Sequence, residues 1–160
     1  MNQAERQEFA DEIKKAFAKV KKPPKNAVSR DLDELQDIVG KNWDEVTPNE
    51  LSYNLPIFFT AKGLHYYLQA YLIALVLDPE KMDLPMNIIY RLSPSLQEDM
   101  LHPMADFDCK QTKVIVAFFE LYRELYPVAE SLINSRMYLE EEKALEQGWE
   151  YWSRKLAECS

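Results

Sequence analysis

His65, Tyr66 and Tyr67 follow one another, with Gln69 and Tyr71 close behind, an unusual density of polar-tipped rings inside an otherwise apolar stretch. A buried imidazole or phenol must find a hydrogen-bond partner. Such a cluster either lines a pocket or ties loop backbone to the helix that carries it, and the second role weighs more here. A pocket would lie where that helix starts, with Trp43 and Phe59 as walls and His65, Tyr66 and Tyr67 as ligand-binding groups.

A second group, His102, Asp106, Asp108 and Cys109, contains metal-ligand types. Its spacing, His-x3-Asp-x-Asp-Cys, falls in a proline-broken segment and matches no coordination motif, so no metal is expected and Asp108 is read as a helix cap. Neither cysteine has a histidine in a triad pattern. With only three glycines, the chain has little from which to build a phosphate-cradling loop. No catalytic residue and no cofactor is therefore expected. The carboxylate runs Asp31/Asp33/Glu34 and Glu140/Glu141/Glu142 fall on polar helix faces, where they keep ordinary acidity and do no acid–base work. They are candidates instead for contacting a cationic protein partner.

Charge supports that direction. The 160 residues carry a net −8, divided into +3 over residues 1–27 and −11 over residues 28–160. An acidic body repels phosphate backbones and suits a basic protein partner, so nucleic acid is not expected. Cys109 and Cys159 are the only cysteines, and with no secretory signal ahead of them a disulfide is not indicated and a cytoplasmic location is expected. The longest apolar stretch, Leu64 to Leu77, is too short and too polar to span a bilayer.

The elements that must position these residues read as helices. Phe9, Ile13, Ala16, Phe17 and Val20 recur at helical spacing and predict a helix over 4–20, acidic at its start and lysine-rich at its end, as the helix dipole favours. Ser29 is read as the cap of a helix through Val39, with Leu32, Leu35, Ile38 and Val39 inward. Thr47-Pro48-Asn49-Glu50 has the spacing of a capping box and predicts one or two helical turns. Leu55 to Phe59 should be extended. Thr60 caps the strongest helix, 61–77, apolar nearly all round and hence central. A short helix over 85–92, a second long one over 109–126 capped by Asp108, a continuation over 128–137 and a last helix over 139–156 complete the chain.

Gly40-Lys-x-Trp43, Phe58-Phe59-Thr60-x-x-Gly63, Tyr66-Tyr67-Leu68-x-Ala70-Tyr71-Leu72 and a Phe107-Asp-x-x-Gln111 helix start leading to Phe118-Phe119 together resemble a family of small uncharacterised bacterial proteins. The likeness covers about residues 8–125 and implies fold and a bacterial origin. It implies no activity. Gln69 stands where that pattern leads us to expect proline.

The expectation is a single all-α domain over 1–160, an irregular bundle of six or seven helices with 61–77 and 109–126 at its centre. For function it is a small protein-binding module, in its most concrete form an immunity-type inhibitor of a basic toxin or nuclease. The alternatives are a ligand-binding or enzymatic domain at Trp43/Phe59/His65/Tyr66, or a structural domain that forms a homodimer through the Trp149/Trp152 helix.

Overall fold

A computed structural model describes residues 1–31, 33–94 and 104–159. Among them are six α-helices: α1 (Gln3–Phe17), α2 (Pro48–Tyr53), α3 (Ala61–Leu77), α4 (Met86–Arg91), α5 (Cys109–Leu125) and α6 (Arg136–Ala157). The fold is all-α.

Local chemistry places most helix starts. Thr60 Oγ1 accepts from Gly63 N (3.0 Å) and opens α3. Asp108 accepts from Gln111 N (2.8 Å) while Gln111 returns a bond to Asp108 N (2.9 Å), opening α5. Equivalent reciprocal pairs at Asn2/Glu5 and Thr47/Glu50 start α1 and α2. Helix α3 buries thirteen of its seventeen residues, so it is the axis of the bundle. Helix α1 lies along it through Phe9, Ile13 and Phe17; α5 packs on α1 and α6, and α4 on α6. Gly148 lets α6 approach α5 closely, since a methyl there would run into the Phe119 ring.

Three segments depart from expectation. The described residues between 29 and 40 form turns rather than a helix. Ser29 does not cap: its hydroxyl donates to the carbonyls of Asp31 (2.8 Å) and Phe58 (3.2 Å), and its backbone bridges to Phe59. Leu35 then sits at φ 60°, outside helical space, and burial of its side chain offsets that strain. Leu32 lies outside the described residues. Pro56–Phe58 is a single 3₁₀ turn between extended residues Leu55 and Phe59, not a continuous extended run. Residues 126–135 also fail to continue as a helix. Tyr126 (φ −128°, ψ 72°) and Ala129 (φ −59°, ψ 135°) leave helical space around Pro127, one 3₁₀ turn follows at Glu130–Leu132, and Ser135 caps α6 anew.

Cys109 and Cys159 overturn the expectation of no disulfide. They are bonded, with Cα atoms 5.9 Å apart, which ties the first residue of α5 to the tail after α6. Because α6 runs back along α5, residues far apart in sequence meet at one end of the helix pair. No helix among the described residues is long and apolar enough to cross a membrane.

Candidate functional site

The polar-tipped rings at the head of α3 are spent on structure. Phe59 and Tyr67 are wholly buried and stacked (ring centroids 5.6 Å, 16°). The Tyr67 hydroxyl donates to Lys41 O at 2.6 Å, with Ile38 O at 3.2 Å, so it pins the end of a segment whose own backbone bonds are isolated turns. Tyr66 Oη accepts from Trp43 N (3.1 Å), and Tyr71 Oη donates to Asn54 O. His65 Nε2 lies 3.0 Å from Gln111 Oε1; as that amide oxygen is an acceptor, the proton sits on Nε2. The same Gln111 donates to Ala16 O (3.2 Å), so α1, α3 and α5 are joined at one point. Half-buried Trp43 edges a surface depression of about 250 Å³ with Val46, Ala70 and Ile73, which Phe59, His65, Tyr66 and Tyr67 do not line.

Burial, with the neighbouring Tyr66 adding to it, pushes the Tyr67 phenol up to about 12, and burial alone pushes Tyr71 higher still. A folded-state value above the ordinary 10 means that folded protein keeps a proton which unfolded chain has lost. Stability is therefore present below pH 10 and should fall as pH rises from 10 to 12. Urea melts across that range should show the decline, and Tyr67→Phe should make it shallower; an unchanged slope would contradict the assignment.

The acidic candidates occupy different elements. Asp31, Asp33 and Glu34 lie in the 29–40 turns, where Asp31 Oδ1 accepts from Asp33 N (3.0 Å). Glu140, Glu141 and Glu142 lie on α6, where Glu140 pairs with Arg136 (3.2 Å) and the other two with Arg123. Of the metal-type group, Asp108 caps α5, Cys109 is disulfide-bonded, and His102 lies outside the described residues. On α6, Trp152 is committed to the core, its Nε1 donating to Leu92 O (3.1 Å), while Trp149 stays partly exposed and donates to Glu120 (3.2 Å).

Glu141 also belongs to something the sequence did not reveal, a groove of about 870 Å³ between α4, the end of α5 and the start of α6. Its opening exists because residues 126–135 leave the helical path. Leu84 and Met137 stand on its rim 67% and 62% exposed, with Leu132 beside them. Leu84 has φ 50°, and unlike Leu35 it gains no burial in return.

The inner wall is aromatic and held rigidly. Tyr122 and Tyr126 stack (5.1 Å, 29°), and Tyr126 donates to Leu75 O (2.7 Å). Arg123 bridges α5 to α6: its guanidinium lies 5.5 Å from the centroids of both Tyr122 and Tyr138, bonds Glu142, and reaches Glu141 at 3.3 Å. Burial opposes that charge, but the Glu142 and Glu141 carboxylates outweigh it and hold the guanidinium above its ordinary pKa. Tyr122 is 1% exposed. Burial raises its pKa, against the pull of Arg123 and with Glu141 reinforcing it, so the phenol stays neutral. The one sequence signal for this groove was the apolar set Leu132, Ile133 and Met137 following Pro127, which a continuing helix would have had to bury.

Comparison with curated proteins and with solved structures finds no match. One family pattern does match, and it covers residues 5–156, wider than the motif resemblance over 8–125 and reaching both the α3 core and the groove-forming helices. The chain belongs to the Family of unknown function (DUF6714).

Proposed function

We propose that this protein is a binding module for another protein, and that the groove between α4, α5 and α6 is its working surface. The observation that carries the reading is a large preformed groove whose rim presents exposed Leu84 and Met137, the former in a strained backbone conformation. Its occupant is a partner segment with an apolar face flanked by lysine or arginine. Glu80 lines the groove, Glu130 stands on the adjoining turn, and Arg123 with its partners Glu141 and Glu142 makes a cluster of net charge −1. Arg6 is the remaining cation on the lining. With a net charge of −8 behind it, the surface attracts basic segments and speeds their encounter. An inhibitor of a basic toxin or nuclease is the most concrete form of such a module.

A displayed library of sixteen-residue peptides, selected on the full chain, tests this. Enriched peptides should carry an apolar stripe beside Lys or Arg. Leu84→Asp and Met137→Glu should each weaken them by roughly tenfold or more, as loss of a central apolar contact does. Tyr53→Asp on α2, 73% exposed and not on the groove, should leave them unchanged. Enrichment of acidic peptides, or binding indifferent to both groove substitutions, would refute the proposal.

A further inference from the structure

We infer that the exposed seam between α1 and α5 is a second interaction surface, and that its partner is another copy of this chain laid across it end for end. The seam shares no residue with the lining of the groove, so this does not rest on the groove reading.

The two helices run antiparallel: Gln111 near the start of α5 donates to Ala16 O near the end of α1, and the Met1 amino group pairs with Glu124 at the end of α5. Two surface depressions of about 270 and 490 Å³ follow the seam and meet at Glu12. The first is lined by Lys15, Lys110 and Lys113, the second by Glu5, Glu8 and Glu124. All six residues are exposed. Among the described residues, none of the three lysines has an ion-pair partner, and neither does Glu8 or Glu12.

Helix stability explains half of this pattern. Acids before lysines, the order on α1, suit the helix dipole. On α5 the order is reversed, with Lys110 and Lys113 in the first turns and Glu124 in the last, which the dipole disfavours. The reversal aligns the charges of α5 with those of antiparallel α1, so the seam as a whole is basic at one end and acidic at the other.

Such a surface complements itself. A nucleic acid would meet the glutamates and a uniformly basic protein the lysines, whereas a second copy satisfies both ends. The charges also choose the symmetry. A two-fold axis lying along the helices would set acid on acid; one crossing them beside Glu12 and Ala117 sets each acidic end on the partner's basic end, and the contact closes as a dimer. Lys110 and Glu124 stand seven residues either side of Ala117, and Glu8 and Lys15 stand four and three either side of Glu12. The axis therefore lays Glu8 of each copy against Lys15 of the other. Half-buried Ala16, Ala117 and Leu121 let the backbones approach between the charges. At physiological salt the screening length is about 8 Å, so the net −8 of each copy opposes the contact weakly while touching charges still attract.

Sedimentation velocity of the full chain at physiological salt, from micromolar to millimolar concentration, should show a monomer passing to a dimer. Glu8→Lys and Lys15→Glu should each weaken that dimer roughly tenfold or more, since symmetry turns two attractive contacts repulsive at once. Overall charge predicts the opposite for Glu8→Lys, which lowers the net charge from −8 to −6. Mixing the two variants should restore association, because each mismatch then faces its complement. Glu12→Gln, beside the axis and so facing its own symmetry mate, should tighten the dimer several-fold, and Leu84→Asp in the groove should leave it unchanged. A wild-type chain that stays monomeric at millimolar concentration, a Glu8→Lys dimer as tight as wild type, a mixture that does not associate, a Glu12→Gln dimer no tighter, or a dimer lost with Leu84→Asp would each overturn the inference.

Discussion

Replacing Cys159 by serine is expected to lower the unfolding free energy by about 4 kcal/mol, the chain-entropy value for a crosslink closing a loop of this size. The bonded cysteines are 50 residues apart in sequence. In the folded protein the bond adds little new packing, because α5 and α6 already lie together; its effect is on the unfolded chain, whose freedom it restricts. Urea denaturation should therefore show a lower midpoint for Cys159→Ser, and wild type in excess dithiothreitol should behave like the variant. Adding reductant to Cys159→Ser should change nothing. A wild-type midpoint unmoved by reductant would show that the bond contributes nothing to stability. In a reducing compartment the protein would work at the lower value.

Gly63→Ala is the second large effect, a loss of roughly 3 kcal/mol, at the upper end for forcing one methyl into a packed interior. Gly63 is the third residue of α3, and a methyl there would fall inside contact distance of the Val28 carbonyl oxygen and 2.9 Å from a Phe59 ring carbon. That carbonyl accepts from Thr60 N (3.0 Å), and Thr60 also caps the helix. The methyl meets the Val28 backbone, so no side-chain rotation relieves that clash. Either the 27–29 segment shifts and its bonds to Thr60 break, or the first turn of α3 frays. Far-ultraviolet circular dichroism should show a lowered melting temperature with helical content largely kept at 25 °C. A melting temperature within a degree of wild type would mean that this contact is not tight in solution.

These two positions also show how the chain's information is distributed. The Thr60 and Asp108 caps are local: a side-chain oxygen bonds a backbone N–H three residues on, and no distant residue is consulted. That is why local signals alone predict 61–77, the range of α3, and 109–126, one residue longer than α5. The apolar circumference of α3 likewise announced a central helix. Residues 29–40 had an equally good cap in Ser29 and an apolar period, yet formed turns. The competing bonds come from Phe58, Phe59 and Tyr67, which no window around Ser29 contains.

The tyrosines at the head of α3 belong in between. Their need for partners was legible, since buried phenols must bond something, but whether the partner was a loop or a ligand depended on where Lys41, Ile38 and Asn54 came to lie. The groove left only one trace in the sequence, the apolar set Leu132, Ile133 and Met137 after Pro127. Its wall joins Leu84, Tyr122 and Met137, and its opening follows from the path of residues 126–135 around Pro127.

By itself, then, the sequence determined the helical class, the caps of the long helices, the central place of α3 and the acidic character of the body, because caps, periodicity and charge act over a few residues or not through space at all. Tertiary structure alone decided the Cys109–Cys159 bond, the turns that replace a helix after Ser29 and the groove that brings Leu84, Tyr122 and Met137 together. Each of those depends on groups tens of residues apart arriving at the same place, and only the packed chain sets that distance.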